Sequence, residues 1–131
     1  MTVEATSRAS HLLIVEDEPM IGRILEHKLV REGHRVSWVR SLAEAEHVLA
    51  AGGVDLALVD ATLDGDGLEF GASMAATQAA PRWGWLALVE GRDGWAPGRA
   101  LAAGAAGVVV KPFKPTAVAV QVDAALRGAA A

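Results

Sequence analysis

The stretch VDLALVD, Val54 to Asp60, decides the fold because its apolar residues occupy both faces of a predicted strand. Such a strand is typical of the middle of a parallel sheet that helices cover on both sides. An acid, Asp60, ends the strand, and the loop that follows is rich in acids and glycines. The segments on either side must then supply the other strands and the covering helices.

Strands and helices alternate along the rest of the chain. Four more segments are predicted to be strands, because they are short and apolar or alternate with period two: HLLIVE (11–16), HRVSWV (34–39), WGWLALV (83–89) and AGVVVK (106–111). Apolar spacing and capping residues predict the helices 19–31, 42–52, 68–79, 98–103 and 116–126. Five strand–helix units predict an α/β fold, a flavodoxin-like doubly wound (βα)5 domain with a five-stranded parallel sheet.

The composition restricts the kinds of function. The chain has 131 residues, a formal net charge of −4 and no cysteine, which disfavours a nucleic-acid surface and excludes disulfides and thiolate ligands. No apolar run reaches the roughly 18 residues that cross a membrane, and the first ten residues lack the core of a signal peptide. We therefore expect a cytoplasmic protein with one domain over residues 11–127, between flexible tails at 1–10 and 128–131.

Charged residues gather where the predicted strands end. Glu16 and Asp17 follow the first strand, Asp60 ends the third, and Lys111 ends the fifth. In a parallel sheet these ends share one edge, where ligands bind. Carboxylates there can hold Mg²⁺, a carboxylate can attack phosphorus, and an amine can pair with phosphoryl oxygens.

These motifs resemble those of the receiver domain of two-component response regulators. The similarity is carried by LLIVEDEP (12–19), LALVD (56–60) and ALAAGAAGVVVKPF (100–113), in that order and at those distances, and it covers roughly residues 11–127. It implies that Asp60 is the phosphoacceptor, and that Glu16 and Asp17 bind Mg²⁺ together with Asp60. It also implies that the backbone carbonyl of Thr62 completes the metal shell and that Lys111 binds the phosphoryl group.

The sequence departs from the family at the positions that signal phosphorylation. The family usually has Ser or Thr at the end of the fourth strand, where this chain has Val89 or, with a one-residue shift in the loop, Glu90. The aromatic switch residue of the fifth strand is replaced by Val108, and a common proline is replaced by Asp64. The family resemblance also implies a cis peptide bond before Pro112.

The resemblance implies a function and its partners. A histidine kinase or a histidine phosphotransfer protein would donate the phosphoryl group, and the domain would signal through its fourth helix, fifth strand and fifth helix to a downstream protein. It would not be an enzyme beyond its own phosphorylation and dephosphorylation. Nucleic-acid and membrane binding are not expected of this domain, and a homodimer is left open.

Two alternatives remain open from the residues. Val89, Val108 and Asp64 also fit a degenerate receiver that binds partners without phosphorylation. A Mg²⁺-dependent phosphohydrolase is a weaker alternative, since Thr62 stands where a second catalytic carboxylate would be needed. The loop 60–71 also partly imitates a calcium-binding loop, but it has Gly71 in place of the final bidentate Glu. Asp64 and Asp66 are interpreted instead as turn and helix-start residues.

Overall fold

A computed structural model of the protein describes residues 9–128. Its five strands are β1 (His11–Val15), β2 (Arg35–Val39), β3 (Leu56–Asp60), β4 (Trp85–Glu90) and β5 (Gly107–Lys111). Its five helices are α1 (Pro19–Arg31), α2 (Leu42–Ala50), α3 (Gly67–Met74), α4 (Ala96–Ala102) and α5 (Pro115–Leu126). The predicted order of strands and helices is confirmed, and each strand boundary lies within two residues of its predicted position.

The strands form one parallel sheet in the order β2-β1-β3-β4-β5. The chain therefore runs outward in one direction from β1 to β2, returns through β3 and continues in the other direction. This reversal places the carboxyl ends of β1 and β3 side by side, which is the usual position of a ligand site in a doubly wound sheet. The predicted fold class is confirmed.

The two faces of the sheet carry two separate apolar layers. On one face, α1 and α5 pack against Leu12, Ile14, Leu58, Leu88 and Val109. On the other face, α2, α3 and α4 pack against Leu13, Val15, Val59, Ala87 and Val89. All five residues of β3 are buried, as the apolar pattern of VDLALVD predicts for a central strand.

Helix α3 is shorter than predicted. The alanine-rich pattern predicts a helix as far as Ala79, but α3 ends at Met74. The backbone amide and the hydroxyl of Thr77 both donate hydrogen bonds to the Met74 carbonyl, so a turn replaces the next helical turn. Between α3 and β4, the backbone amides of Arg82 and Trp83 donate hydrogen bonds to the carbonyls of the two residues that precede β3.

Helix α4 begins two residues earlier than the predicted Gly98. Asp93 Oδ1 accepts hydrogen bonds from the amides of Trp95 and Ala96, which turns the chain into the helix. Pro97 fits the first helical turn because its missing N–H has no partner there. Strand β4 also extends one residue beyond Val89, so Glu90 is its last residue.

No helix within residues 9–128 is both long enough and apolar enough to cross a bilayer. Most of the two predicted tails, residues 1–8 and 129–131, lies outside the described part of the chain. The domain boundaries therefore stay a prediction.

Candidate functional site

The acid pair follows β1 directly. Glu16 is fully buried and Asp17 is exposed. The Glu16 amide donates to the Val39 carbonyl at 3.0 Å, and Glu16 Oε2 accepts from the Glu18 amide at 3.1 Å. The β1 end thus turns a carboxylate inward, beside the end of β3.

Two side chains at the end of β2 hold the backbone of this acid pair. Trp38 Nε1 donates to the Glu16 carbonyl at 2.8 Å, and Arg40 Nη2 donates to the Asp17 carbonyl at 3.1 Å. The Trp38 ring fills the space beside Gly22, where an added Cβ would overlap the ring. Sequence reasoning missed both contacts. A glycine inside a predicted helix is the signal that indicates such close packing.

Asp60 ends β3 and is 4% exposed. Its Oδ1 accepts from the Thr62 amide at 3.0 Å, and its Oδ2 lies 2.8 Å from Lys111 Nζ. Both carboxylate oxygens are therefore positioned by neighbouring donors. Such a carboxylate is oriented at the edge of the sheet, where a ligand can approach it.

Gly67 allows α3 to start against the Asp60 backbone. Its amide donates to the Ala61 carbonyl at 2.9 Å, and a Cβ at this position would overlap the Asp60 carbonyl oxygen. The side chain of Asp66 caps the helix by accepting from the amides of Leu68 and Glu69 at 3.0 Å each. The prediction that Asp66 starts a helix is confirmed.

Gly67→Ala is expected to lower the free energy of unfolding by about 2–3 kcal/mol, because the backbone beside Asp60 must move to admit a methyl group. Chemical denaturation measures this loss. Gly65→Ala is the matched control, since its Cβ would meet only the end of the Leu42 side chain at 3.0 Å. Equal losses in the two variants would contradict the close approach at Gly67.

Lys111 brings the two inward-facing carboxylates together. Its ammonium is buried and lies 2.7 Å from Glu16 Oε1 and 2.8 Å from Asp60 Oδ2. Glu90 Oε2 is more distant, at 3.8 Å. Within the described residues Glu16 Oε1 has no hydrogen-bond partner in favourable geometry despite the nearby ammonium. That oxygen is buried and has the Lys111 ammonium as its close partner, and a metal cation could also use it.

Burial and crowding shift the proton equilibria in this cluster. Burial, together with the nearby Asp60 carboxylate, raises the pKa of Glu16 to about 7, although Lys111 opposes the shift. Burial alone would lower the pKa of Lys111, but its contacts with Asp60 and Glu16 outweigh burial and raise that pKa. The lysine therefore stays charged, and the cluster holds more negative charge than one ammonium can balance.

The raised pKa of Glu16 predicts that the metal-free protein loses stability as pH rises. Glu16 takes up its proton near pH 7 when folded but near its ordinary value of 4.5 when unfolded. The folded state thus binds more protons between these values. The stability that the Glu16 proton gives to the folded state is fully present below pH 4.5 and is lost by the time pH passes 7. This stability amounts to about 3 kcal/mol at most.

Denaturation in a chelator across this pH range tests the prediction. The natural chain should lose more stability than Glu16→Gln between pH 5 and roughly pH 8. Parallel pH profiles for the two chains would contradict the raised pKa.

The acids fit a hard divalent cation. One oxygen each from Glu16, Asp17 and Asp60 can lie within 4.8 Å of one another. Oxygen-only ligands with few protein contacts suit Mg²⁺, which keeps several waters. The buried oxygen of Glu16, which accepts no hydrogen bond of favourable geometry among the described residues, supports this fit. The structure thus brings together three of the predicted metal ligands.

The end of β4 places the two candidate switch residues, Val89 and Glu90, on opposite faces of the sheet. Val89 is buried in the layer under α2, α3 and α4, on the face opposite to the side chain of Leu88. Glu90 pairs with Lys111 in the strand register, and its side chain is the one that reaches the lysine. Glu90 therefore has the side chain nearer to Lys111, and the assignment of Val89 as the switch position stays a prediction.

The remaining predicted positions lie along β5. Val108 is half-buried and packs against the layer containing α4, and its carbonyl accepts from Gln121 Nε2 at 2.9 Å. The peptide bond from Lys111 to Pro112 is cis.

The sequence also matches the model of a known protein family. A family model described as the response regulator receiver domain matches residues 12–123. This chain belongs to the response regulator receiver domain family. Receiver domains are signalling domains of two-component systems, and they receive their signal from histidine kinases or phosphotransfer proteins.

Individual relatives agree with this assignment. PetR of Rhodobacter capsulatus is 32% identical over 118 residues, which cover 89% of this receiver domain chain and 48% of PetR. The swarming motility regulation protein RssB of Serratia marcescens is 47% identical over 60 residues, or 45% of this chain and 27% of RssB. This chain spans about half, or less, of the length of these curated relatives.

A solved structure shows the same similarity in three dimensions. The signal receiver domain of a signal transduction histidine kinase from Syntrophus aciditrophicus superposes with a TM-score of 0.81 at 29% identity. The superposition covers 92% of this receiver domain and 92% of that chain.

Proposed function

We propose that this receiver domain accepts a phosphoryl group on Asp60 from a phosphohistidine, with Mg²⁺ bound beside it. The observation that carries the proposal is the carboxylate of Asp60, buried at the end of β3 between the Thr62 amide at 3.0 Å and the Lys111 ammonium at 2.8 Å. Family membership supports the same role.

The transfer forms one bond and breaks another. A carboxylate oxygen of Asp60 attacks the phosphorus, and an acyl phosphate forms as the bond from phosphorus to the histidine nitrogen breaks. The donor imidazole leaves with the bonding electron pair. Lys111 balances the charge on the phosphoryl oxygens, and the Thr62 amide keeps the carboxylate oriented.

Glu16, Asp17, Asp60 and the Thr62 carbonyl are the groups proposed to hold Mg²⁺. When bound, the ion stabilises the negative charge that develops on the transferring group. Burial of Glu16 and the contacts of Trp38 and Arg40 with the acid-pair backbone keep these ligands in place before the ion arrives.

A histidine kinase or a histidine phosphotransfer protein is the proposed donor, and a protein bound at α4, β5 and α5 is the proposed target. Phosphorylation would act there by shifting the population of two conformations. We propose no nucleic-acid or membrane contact for this domain. A cytoplasmic location and a homodimer stay predictions.

Val89 and Val108 support a second candidate, a degenerate receiver that binds partners without phosphorylation. Neither residue offers the hydroxyl or the aromatic ring that the family commonly has there. The phosphohydrolase alternative gains no support from the geometry, because Thr62 provides a backbone amide to Asp60 and no second carboxylate.

Intact mass after incubation with a small phosphodonor separates the three functions. With Mg²⁺ we expect the mass to rise by one phosphoryl group, and with a chelator we expect no rise. No rise in either condition, with the fold intact, would favour the degenerate receiver. Sustained release of phosphate from a phosphoester would favour the phosphohydrolase.

A further inference from the structure

The carboxylate of Glu90 faces the ammonium that also contacts Glu16 and Asp60. Glu90 pairs with Lys111 in the β4–β5 register, and the distance from Oε2 to Nζ is 3.8 Å. Within residues 9–128, no other cation lies within 4 Å of this carboxylate. Its side chain is 60% exposed and makes no hydrogen bond there. The fold therefore does not depend on this charge.

Lys111 is the one cation in contact with three carboxylates of the described chain. Two of these carboxylates, those of Glu16 and Asp60, are buried with the ammonium, and the third, that of Glu90, is exposed. Glu90 borders both the cleft beside Thr62, about 670 Å³ in volume, and the depression beside Lys111 and Pro112. A group bound to Asp60 that contacts the Lys111 ammonium would approach Glu90, because that ammonium lies 2.8 Å from Asp60 Oδ2 and 3.8 Å from Glu90 Oε2.

A phosphoryl group on Asp60 would add negative charge next to this carboxylate. The two anions would repel each other and would compete for the same ammonium. A neutral hydroxyl at this position would donate a hydrogen bond to the phosphoryl group, which a carboxylate at neutral pH cannot do. The Gly91 amide donates a hydrogen bond to the Lys111 carbonyl at 3.0 Å, which ties the end of β4 to the end of β5.

We propose that Glu90 is an inhibitory carboxylate that competes with the phosphoryl group on Asp60 for Lys111. The inference rests on the proposed function and adds a regulation of the same site. It lowers the affinity of the site for a phosphoryl group, so that more donor is needed to fill the site than in the Glu90 variants.

Beryllofluoride, which imitates a phosphoryl group on a carboxylate, tests the proposal when titrated at saturating Mg²⁺. Glu90→Gln is expected to tighten beryllofluoride binding about tenfold, equivalent to roughly 1.4 kcal/mol. Glu90→Thr is expected to tighten it at least as much. The gain should shrink in high salt, because Glu90 is exposed and salt screens its charge.

Glu69→Gln is the matched control. Glu69 is an exposed acid in the first turn of α3 and lines the same cleft. Its substitution therefore removes the same negative charge from a position that does not contact Lys111. Affinity is expected to stay near that of the natural chain. The proposal is wrong if Glu90→Gln and Glu90→Thr bind beryllofluoride no more tightly than the natural chain, or if Glu69→Gln tightens binding equally.

The same titration also tests the phosphoacceptor function on which this proposal rests. If neither the natural chain nor the Glu90 variants bind beryllofluoride, while Mg²⁺ still binds, then the phosphoacceptor function is itself wrong. Binding by the natural chain without a gain in the variants would overturn the role of Glu90 alone.

Discussion

Asp60→Asn is expected to abolish phosphoryl uptake and to leave the domain folded. An amide is not a nucleophile for phosphorus under these conditions, so no acyl phosphate can form at this position. The amide oxygen can still accept the hydrogen bond from Thr62. One of two crowded buried carboxylates is removed, so we expect the stability to stay the same or to rise.

Asp64→Asn is the matched control for this loss. Asp64 is an exposed acid in the same loop, and its Oδ1 accepts from the Leu42 amide at 3.2 Å. Intact mass after treatment with a phosphodonor and Mg²⁺ should show uptake in Asp64→Asn and none in Asp60→Asn. Uptake by Asp60→Asn at the rate of the natural chain would contradict the assignment of the acceptor.

Lys111→Met is expected to cost about 3 kcal/mol of stability at pH 8 in the absence of metal. The substitution leaves Glu16 and Asp60 buried without their cation, and breaking a buried pair by removing one partner typically costs about 3–5 kcal/mol. The loss should be smaller at pH 5, because Glu16, whose pKa is about 7 even beside Lys111, is then protonated.

Denaturation of Lys111→Met at both pH values measures these losses. Lys114→Met is the control, since Lys114 is an exposed lysine before α5 and its side chain makes no capping hydrogen bond. Its stability should change by less than about 0.5 kcal/mol. Equal losses in the two variants would show that Lys111 does not hold the buried acids together.

The central part of the fold could be predicted because its physical signals are local. VDLALVD is apolar on both faces, and only a central strand buries both faces at once. Once the strands are parallel, their ends share one edge. The closeness of Glu16, Asp60 and Lys111 then follows from topology, and the distances of 2.7 and 2.8 Å agree with it.

Other features have physical causes that the local pattern does not contain. The choice of Val89 over Glu90 as the switch position stays a prediction, because it depends on the length of the loop after β4, and a shift of one residue turns a side chain to the other face of a sheet. The early end of α3 depends on two hydrogen bonds from Thr77 and on the path to β4. An alanine-rich sequence carries neither signal.

Contacts between residues distant in the chain could not be predicted from the sequence either. Trp38 lies in β2 and Arg40 directly follows it, yet they bind the backbone of Glu16 and Asp17. Their reach depends on the twist and packing of the edge strand against α1, and Gly22 makes room for the ring. Alternation in β2 predicts a strand but not the partners of its side chains.

The central claim is that the isolated acid at the end of β3, rather than the acids of the loop after it, takes the phosphoryl group. Reduction of the phosphorylated protein with borohydride converts an acyl phosphate to an alcohol, and peptide mass spectrometry then locates the altered residue. We predict a single altered residue, Asp60. Alteration at Asp64, Asp66 or Glu69 in place of Asp60 would contradict the claim.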